Sequence, residues 1–256
     1  MKLKLIPALR VACCLMFFSG LNFTAMAQFT SMASKAPWLQ SFFAKMNPNT
    51  PEFSATGNLD MCDPSGTIRM ELPMDVAATT NAFRWEVDAS KFWPMPPEVK
   101  AMAKQMHTDK TVFLVKTDEQ NVYMIYPDLQ AYLQFPIPAS ALAEFDASSK
   151  SVQFQKTPLG RESVDGHPCI RNKVTDVEPN SPPEQGLMWN ATDLQGFPIK
   201  MDLDTGRGLM KFNFQNVVVQ SPNPSLFEIP VNYKLFRNSA ELMEYAKSQV
   251  SAQNTN

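Results

Sequence analysis

The stretch from residue 121 to residue 138, NVYMIYPDLQAYLQFPIP, constrains the fold most, because it reads as a β-hairpin with an unusually apolar first strand. Residues 122–126 (VYMIY) place apolar side chains on both faces of that strand. Pro127 and Asp128 supply residues typical of a turn. A strand of this kind is covered on both faces, either by protein alone or by protein on one side and a ligand on the other.

Other segments of the chain alternate apolar and polar residues, which also predicts strands. Residues 53–61, 68–76 and 83–87 alternate with one apolar face and predict three consecutive antiparallel strands. The segment Gly160–Gly166 looks like a turn, and Leu226–Pro230 is predicted as a short closing strand. Further strands are predicted near residues 111–115, 152–154, 168–177, 187–191, 197–203 and 210–218. We expect one domain of roughly ten strands with a few helices on one side.

Helical spacing interrupts the strand pattern in a few places. Residues 34–46 and 96–107 each carry an amphipathic pattern, and 139–145 favours a helical turn. Asn238 and Glu241 have the spacing of a capping box and predict a C-terminal helix. The 34–46 helix is interpreted either as a lid or as a helix packed on the sheet. The methionines of 96–107 are consistent with an adaptable ligand site or with ordinary core.

The first 27 residues have the layout of a secretory signal peptide. Lys2, Lys4 and Arg10 precede an apolar run, and Ala25-Met26-Ala27 is a small-x-small cleavage site. The polar residues that follow position 18 make the run too short for a membrane span. We therefore expect export to a periplasm-like or extracellular space, with the mature chain beginning at Gln28.

Charge and apolar content argue against two classes of partner. Removing residues 1–27 leaves 20 Lys and Arg against 25 Asp and Glu, a net charge near −5. A mildly acidic chain has no electrostatic reason to bind nucleic acid or an anionic membrane surface. No further stretch is long and apolar enough to span a bilayer, so we expect no transmembrane span in the mature chain.

Two cysteines, Cys62 and Cys169, follow the signal peptide. An even number in an oxidising compartment favours one disulfide between them, and two separate buried thiols are the alternative. A metal site is not expected, because His107 and His167 are the only histidines and have no ligand spacing with the cysteines.

Catalytic motifs are missing from the sequence. Acidic groups and an imidazole lie close together in sequence in Gly160–Gly166 and the adjoining His167. Such residues are also common in turns for structural reasons. The sequence shows neither a nucleophile motif nor a phosphate-binding loop. We therefore expect no enzyme activity, no catalytic residue and no cofactor.

Three short motifs resemble the bacterial lipoprotein-carrier superfamily, LolA-like and LolB-like. Phe83-Arg84-Trp85 resembles its phenylalanine-x-tryptophan strand, and residues 122–129 (VYMIYPDL) resemble its strand ending in a tyrosine-x-proline turn. Residues 226–230, running on to Tyr233, resemble its closing strand. Residues 160–174, with Trp189 and residues 196–198, are more similar to an uncharacterised exported branch of that superfamily.

The resemblance implies an α+β, mostly β fold: a curved antiparallel sheet, or incomplete half-barrel, with helices covering its concave face. In the carriers that apolar cavity receives lipoprotein acyl chains. The carriers also place an arginine before the proline of the second strand, whereas Leu72 precedes Pro73 here. This departure leaves a different apolar ligand open.

The expected organisation is a signal peptide (1–27), an N-terminal helix and linker (28–50), the half-barrel domain (51–236) and a C-terminal helix with a frayed tail (237–256). The expected function is binding of a lipid or lipoprotein acyl chain, with an envelope protein as a further partner. The alternative is a non-catalytic envelope structural or interaction module with a filled core. The residues predicted to line the apolar cavity are Met70, Leu72, Met74, Phe83, Trp85, Met102, Met106, Met124 and Phe214.

Overall fold

The computed structural model describes residues 52–139, 154–176, 184–206 and 208–253. The predicted signal peptide, the predicted 34–46 helix and nearly all of the predicted 139–145 turn lie outside the described residues. Within the described ranges, no helix is both long and apolar enough to cross a membrane.

The described residues form one curved sheet of twelve strands that does not close into a barrel. The strands are β1 (Phe53–Cys62), β2 (Ile68–Ala78), β3 (Ala82–Asp88), β4 (Lys110–Lys116), β5 (Asn121–Tyr126), β6 (Ala131–Pro136), β7 (Phe154–Val164), β8 (His167–Asp176), β9 (Glu184–Ala191), β10 (Phe197–Asp204), β11 (Leu209–Val218) and β12 (Lys234–Phe236). Their order across the sheet is β12-β6-β5-β4-β3-β2-β1-β11-β10-β9-β8-β7. The expected mostly-β half-barrel is therefore confirmed.

The two ends of the sheet differ from the sequence-based prediction. The predicted closing strand at residues 226–230 is wrong, because Pro224–Phe227 is a 3₁₀ helix that Asn223 caps by accepting a hydrogen bond from the Ser225 amide. The closing strand is instead β12, which pairs parallel to β6 in a sheet whose other pairs are antiparallel. The predicted turn at 160–166 is mostly strand β7. Only Asp165 and Gly166 turn, both with positive φ, as a two-residue hairpin requires.

Alternation along the strands gives the sheet two different faces. On one face, which we call the inner face, apolar residues of most of the strands pack into the main core. A smaller outer cluster lies on β2–β6 around Leu114, Tyr123 and Ile125, and Phe227 of the 3₁₀ helix packs on it. The segment between β11 and β12 thus covers part of the outer face.

Two α-helices complete the described fold. The first, α1 (Pro97–Gln105), contains no buried residue. The second, α2 (Ser239–Gln253), places Leu242 and Ala246 in the main core, both at 0% exposure. Its predicted cap is confirmed in part: the Glu241 amide donates to Asn238 Oδ1 at 2.9 Å, whereas the Glu241 carboxylate accepts from the amide of Arg237, one residue earlier than predicted. Among the described residues, α2 therefore packs on the inner face of the sheet.

Candidate functional site

Seven of the nine predicted cavity residues lie together in the main core, each at 8% exposure or less. They come from β2, β3, β5 and β11 and from the residue after α1. They are Leu72, Met74, Phe83, Trp85, Met106, Met124 and Phe214. Six of them therefore share one face of the sheet, and Met106 packs in the same cluster from the end of α1.

Several aromatic rings of the main core pack against one another on this face. The Phe53 and Phe197 ring centroids are 4.9 Å apart, and Phe197 and Phe214 are 5.6 Å apart in edge-to-face geometry. Trp85 lies 5.5 Å from Phe113 on the neighbouring strand. An acyl chain can enter this part of the core only if side chains or a helix move.

At one end of the inner face three methionines lie side by side on adjacent strands. Met61 of β1 is paired in register with Met70 of β2 and with Met210 of β11. Met61 and Met70 are partly exposed, and Met210 is buried. We call these three residues the methionine rim. Only Met70 was predicted, although the alternation through Leu59 and Phe212 could have identified the other two.

Residues 92–106, which we call the flap, run close to this rim. Trp93 pairs its backbone with Glu71, the neighbour of Met70, through two hydrogen bonds of 2.9 and 3.2 Å. Phe92 and Met106, at the two ends of the flap, are buried in the main core. Between them Trp93 is 50% exposed and Met102 is 53% exposed. Met102, predicted to line the cavity, lies largely in solvent, because α1 has no buried residue and the flap reaches the core only through residues outside α1, such as Phe92 and Met106.

Two polar groups inside the core lack a partner among the described residues. They are Trp85 Nε1, on β3, and the Tyr126 hydroxyl, on β5. Trp85 is 4% exposed and Tyr126 is 1% exposed. Burial raises the pKa of Tyr126 well above its usual range, so the hydroxyl stays protonated and able to donate.

The outer face carries a polar groove of about 300 Å³. Its walls include Asn58, Asp75, Glu86, Lys91 and Asn213. Polar and charged walls do not suit an acyl chain, so this groove is separate from the predicted apolar site.

The predicted Cys62–Cys169 disulfide is wrong. Both cysteines are free and buried. Cys62 lies on β1 and Cys169 on β8, four strand spacings away, or about 19 Å along the sheet. A disulfide requires Cα atoms within about 7 Å of each other. Burial raises the pKa of both thiols, as expected for structural cysteines.

The histidine next to the 160–166 segment forms one exposed ion pair. His167 Nδ1 lies 2.8 Å from Asp193 Oδ2, an exposed pair that joins β8 to the turn after β9. The described residues contain no group of three His, Cys, Asp or Glu side chains able to hold a metal ion. The neighbouring Cys169 thiol donates to the His167 carbonyl oxygen at 3.4 Å and is buried.

No protein-family model and no curated protein matches this chain. Among solved structures, it is similar to the lipoprotein LppX of Mycobacterium tuberculosis, with 14% identity, 75% of this chain and 97% of that chain covered, and a TM-score of 0.41. It is also similar to LprF of Mycobacterium bovis, with 16% identity, coverage of 73% and 97%, and a TM-score of 0.38. A LolA superfamily protein of Nitrosomonas europaea is 9% identical, with coverage of 74% and 96% and a TM-score of 0.34.

Proposed function

We propose that this chain is an exported, non-catalytic protein that binds the acyl chain of a lipid or lipoprotein on the inner face of its sheet. The observation that carries the proposal is the methionine rim, where apolar side chains remain partly exposed at the end of an otherwise buried apolar face. Methionine is unbranched and adapts to irregular apolar ligands. Each Å² of such surface removed from water contributes about 25 cal/mol to binding.

Entry of the acyl chain requires the flap to move. The flap is anchored by Phe92 and Met106, whereas α1 between them has no buried residue, so α1 can lift while the two anchors stay in the core. The acyl chain would pass the methionine rim and reach the seven buried candidate residues. Trp93 and Met102, exposed on the flap, would contact the part of the ligand that remains outside the core.

The test is titration of a fluorescent fatty-acyl probe against the mature wild-type protein and a Met70→Glu variant. A carboxylate at the rim must be desolvated by a bound chain, so we expect the affinity to fall at least about tenfold. Met70→Leu keeps the site apolar and should bind as wild type does. Val231→Glu adds the same charge at a fully exposed position and should also leave binding unchanged. Equal binding by wild type and Met70→Glu would contradict the proposed site.

A second function, an envelope interaction module with a filled core, is favoured by the ring contacts between Phe53, Phe197 and Phe214. In that case these side chains are the permanent occupants of the inner face. Wild-type protein would then bind no acyl probe at all, and its partner would be a protein of the envelope.

A further inference from the structure

The unpartnered polar groups of the inner face carry information about the ligand. Leaving a buried donor without an acceptor costs about 1–3 kcal/mol, and native proteins contain few such groups. Two of them occur here on one face, Trp85 Nε1 and the Tyr126 hydroxyl, among the apolar side chains that form the proposed acyl site.

Strand register places these two residues near each other. Trp85 is paired with Phe113, and Phe113 is paired with Met124. Tyr126 follows Met124 by two residues and therefore points to the same face. The two donors are therefore separated by two strand spacings across the sheet and by two residues along the strand direction.

The chemistry of the donors selects the ligand. Both groups can donate a hydrogen bond inside an apolar site, and neither carries a charge. An ester carbonyl is a neutral acceptor, whereas the carboxylate of a free fatty acid would be costly to bury there. A pure hydrocarbon would leave both donors unpaired.

We propose that the inner face recognises an acyl ester: its carbonyl oxygen accepts a hydrogen bond from the Tyr126 hydroxyl, and Trp85 Nε1, two strands away, is the donor for a second ester carbonyl of the same lipid. This inference rests on the proposed function and narrows its ligand from any acyl chain to an ester-linked one.

A matched pair of probes tests the inference, palmitoyl lysophosphatidylcholine and its hexadecyl ether analogue, which lacks the carbonyl. Wild-type protein should bind the ester about five- to tenfold more tightly than the ether, the contribution of one neutral hydrogen bond. Tyr126→Phe removes only the hydroxyl, so the ester should lose this preference while the ether binds as before. Tyr123→Phe, on the opposite face of the same strand, is the matched control and should keep the preference.

Thermal unfolding of the ligand-free protein gives a second readout. Removing a hydroxyl that has no partner should raise the melting temperature in Tyr126→Phe, whereas removing one that is hydrogen-bonded lowers it. A lowered melting temperature, or an unchanged ester preference in Tyr126→Phe, would overturn the inference. Equal binding of ester and ether by wild type would overturn it while leaving the acyl site intact. Failure of both probes to bind wild-type protein would instead overturn the proposed function.

Discussion

Asp63 holds the turn between β1 and β2 with a single carboxylate. It accepts hydrogen bonds from the Ser65 hydroxyl and from the Ser65 and Thr67 amides, and its other oxygen binds Arg69 at 2.6 Å. These bonds, first of all that from Ser65, lower the pKa of Asp63 from 3.8 to about 2. A carboxyl with a lowered folded-state pKa contributes stability above pH 3.8 that is lost as the pH falls toward 2.

We therefore expect Asp63→Asn to lower the melting temperature at neutral pH, and the difference from wild type to shrink as the pH falls from 4 toward 2. Asp118→Asn, in the turn between β4 and β5, is the comparison variant. Carboxyl-detected NMR measures the Asp63 titration directly. A difference in melting temperature that stays constant over this range would show that the carboxylate charge is not what stabilises the turn.

Asp75 illustrates the opposite effect. It is paired across strands with Glu86, and burial followed by this neighbouring charge raises the pKa of Asp75. Like charges directly opposite each other destabilise a sheet, so Asp75→Asn should stabilise the protein at pH 7 by about 0.5 kcal/mol. The gain should disappear as the pH falls through the raised pKa, because the wild-type carboxyl then becomes neutral. Urea unfolding measures the free energy of unfolding of Asp75→Asn and wild type, and Glu98→Gln, at an exposed position, is the control. A lower stability of Asp75→Asn than of wild type at pH 7 would contradict this explanation.

Thiol labelling tests whether the two cysteines of the described residues are free. Cys62 and Cys169 are 3% and 2% exposed and are not bridged. In native protein neither should react with a maleimide, since both thiols are buried. In unfolded protein that has never been reduced, intact mass should show two labels. If the unfolded, unreduced protein takes up no label, the two cysteines are joined by a disulfide after all.

At the scale of elements, α2 is the helix whose packing on the inner face is visible. Leu242 is fully buried in the main core, so Leu242→Ala should destabilise the protein by about 2–5 kcal/mol. Glu244→Ala, on the exposed side of the same helix, loses only a surface ion pair with Lys247 and should cost less than about 0.5 kcal/mol. Denaturant unfolding of both variants tests whether α2 belongs to the cooperative core. Similar costs would show that it does not.

Elements with strict alternation could be predicted from the sequence, and irregular ones could not. The pattern around Phe83 indicated β3 and the face that it buries, and the apolar run around Met124 indicated β5 as a strand covered on both faces. The closing strand was misplaced because Phe227 is apolar for a different reason, the outer cluster on which it packs. The second half of β7 was predicted as a turn because its residues are exposed on both faces, as expected for an edge strand that only β8 pairs.

For the whole molecule, the sequence pattern indicated which residues share the inner face, but it did not show how closely their side chains pack together. Alternation identifies Met124 and Phe214 as neighbours in space, while the packing of Phe53 against Phe197 depends on strands distant in sequence. The unpartnered groups on Trp85 and Tyr126 are likewise visible only in three dimensions. A methionine at helical spacing, Met102, proved to be exposed, because helix periodicity does not say which side of a short helix is covered.

The central claim is that the inner face holds an acyl ester, and the most direct measurement is lipid extraction and mass spectrometry of protein purified from its native envelope. The account predicts an ester-linked lipid bound at close to one per protein molecule in wild type and strongly reduced in Met70→Glu. A folded wild-type protein that carries no lipid, and that binds neither lysophospholipid probe when it is offered, would contradict the claim.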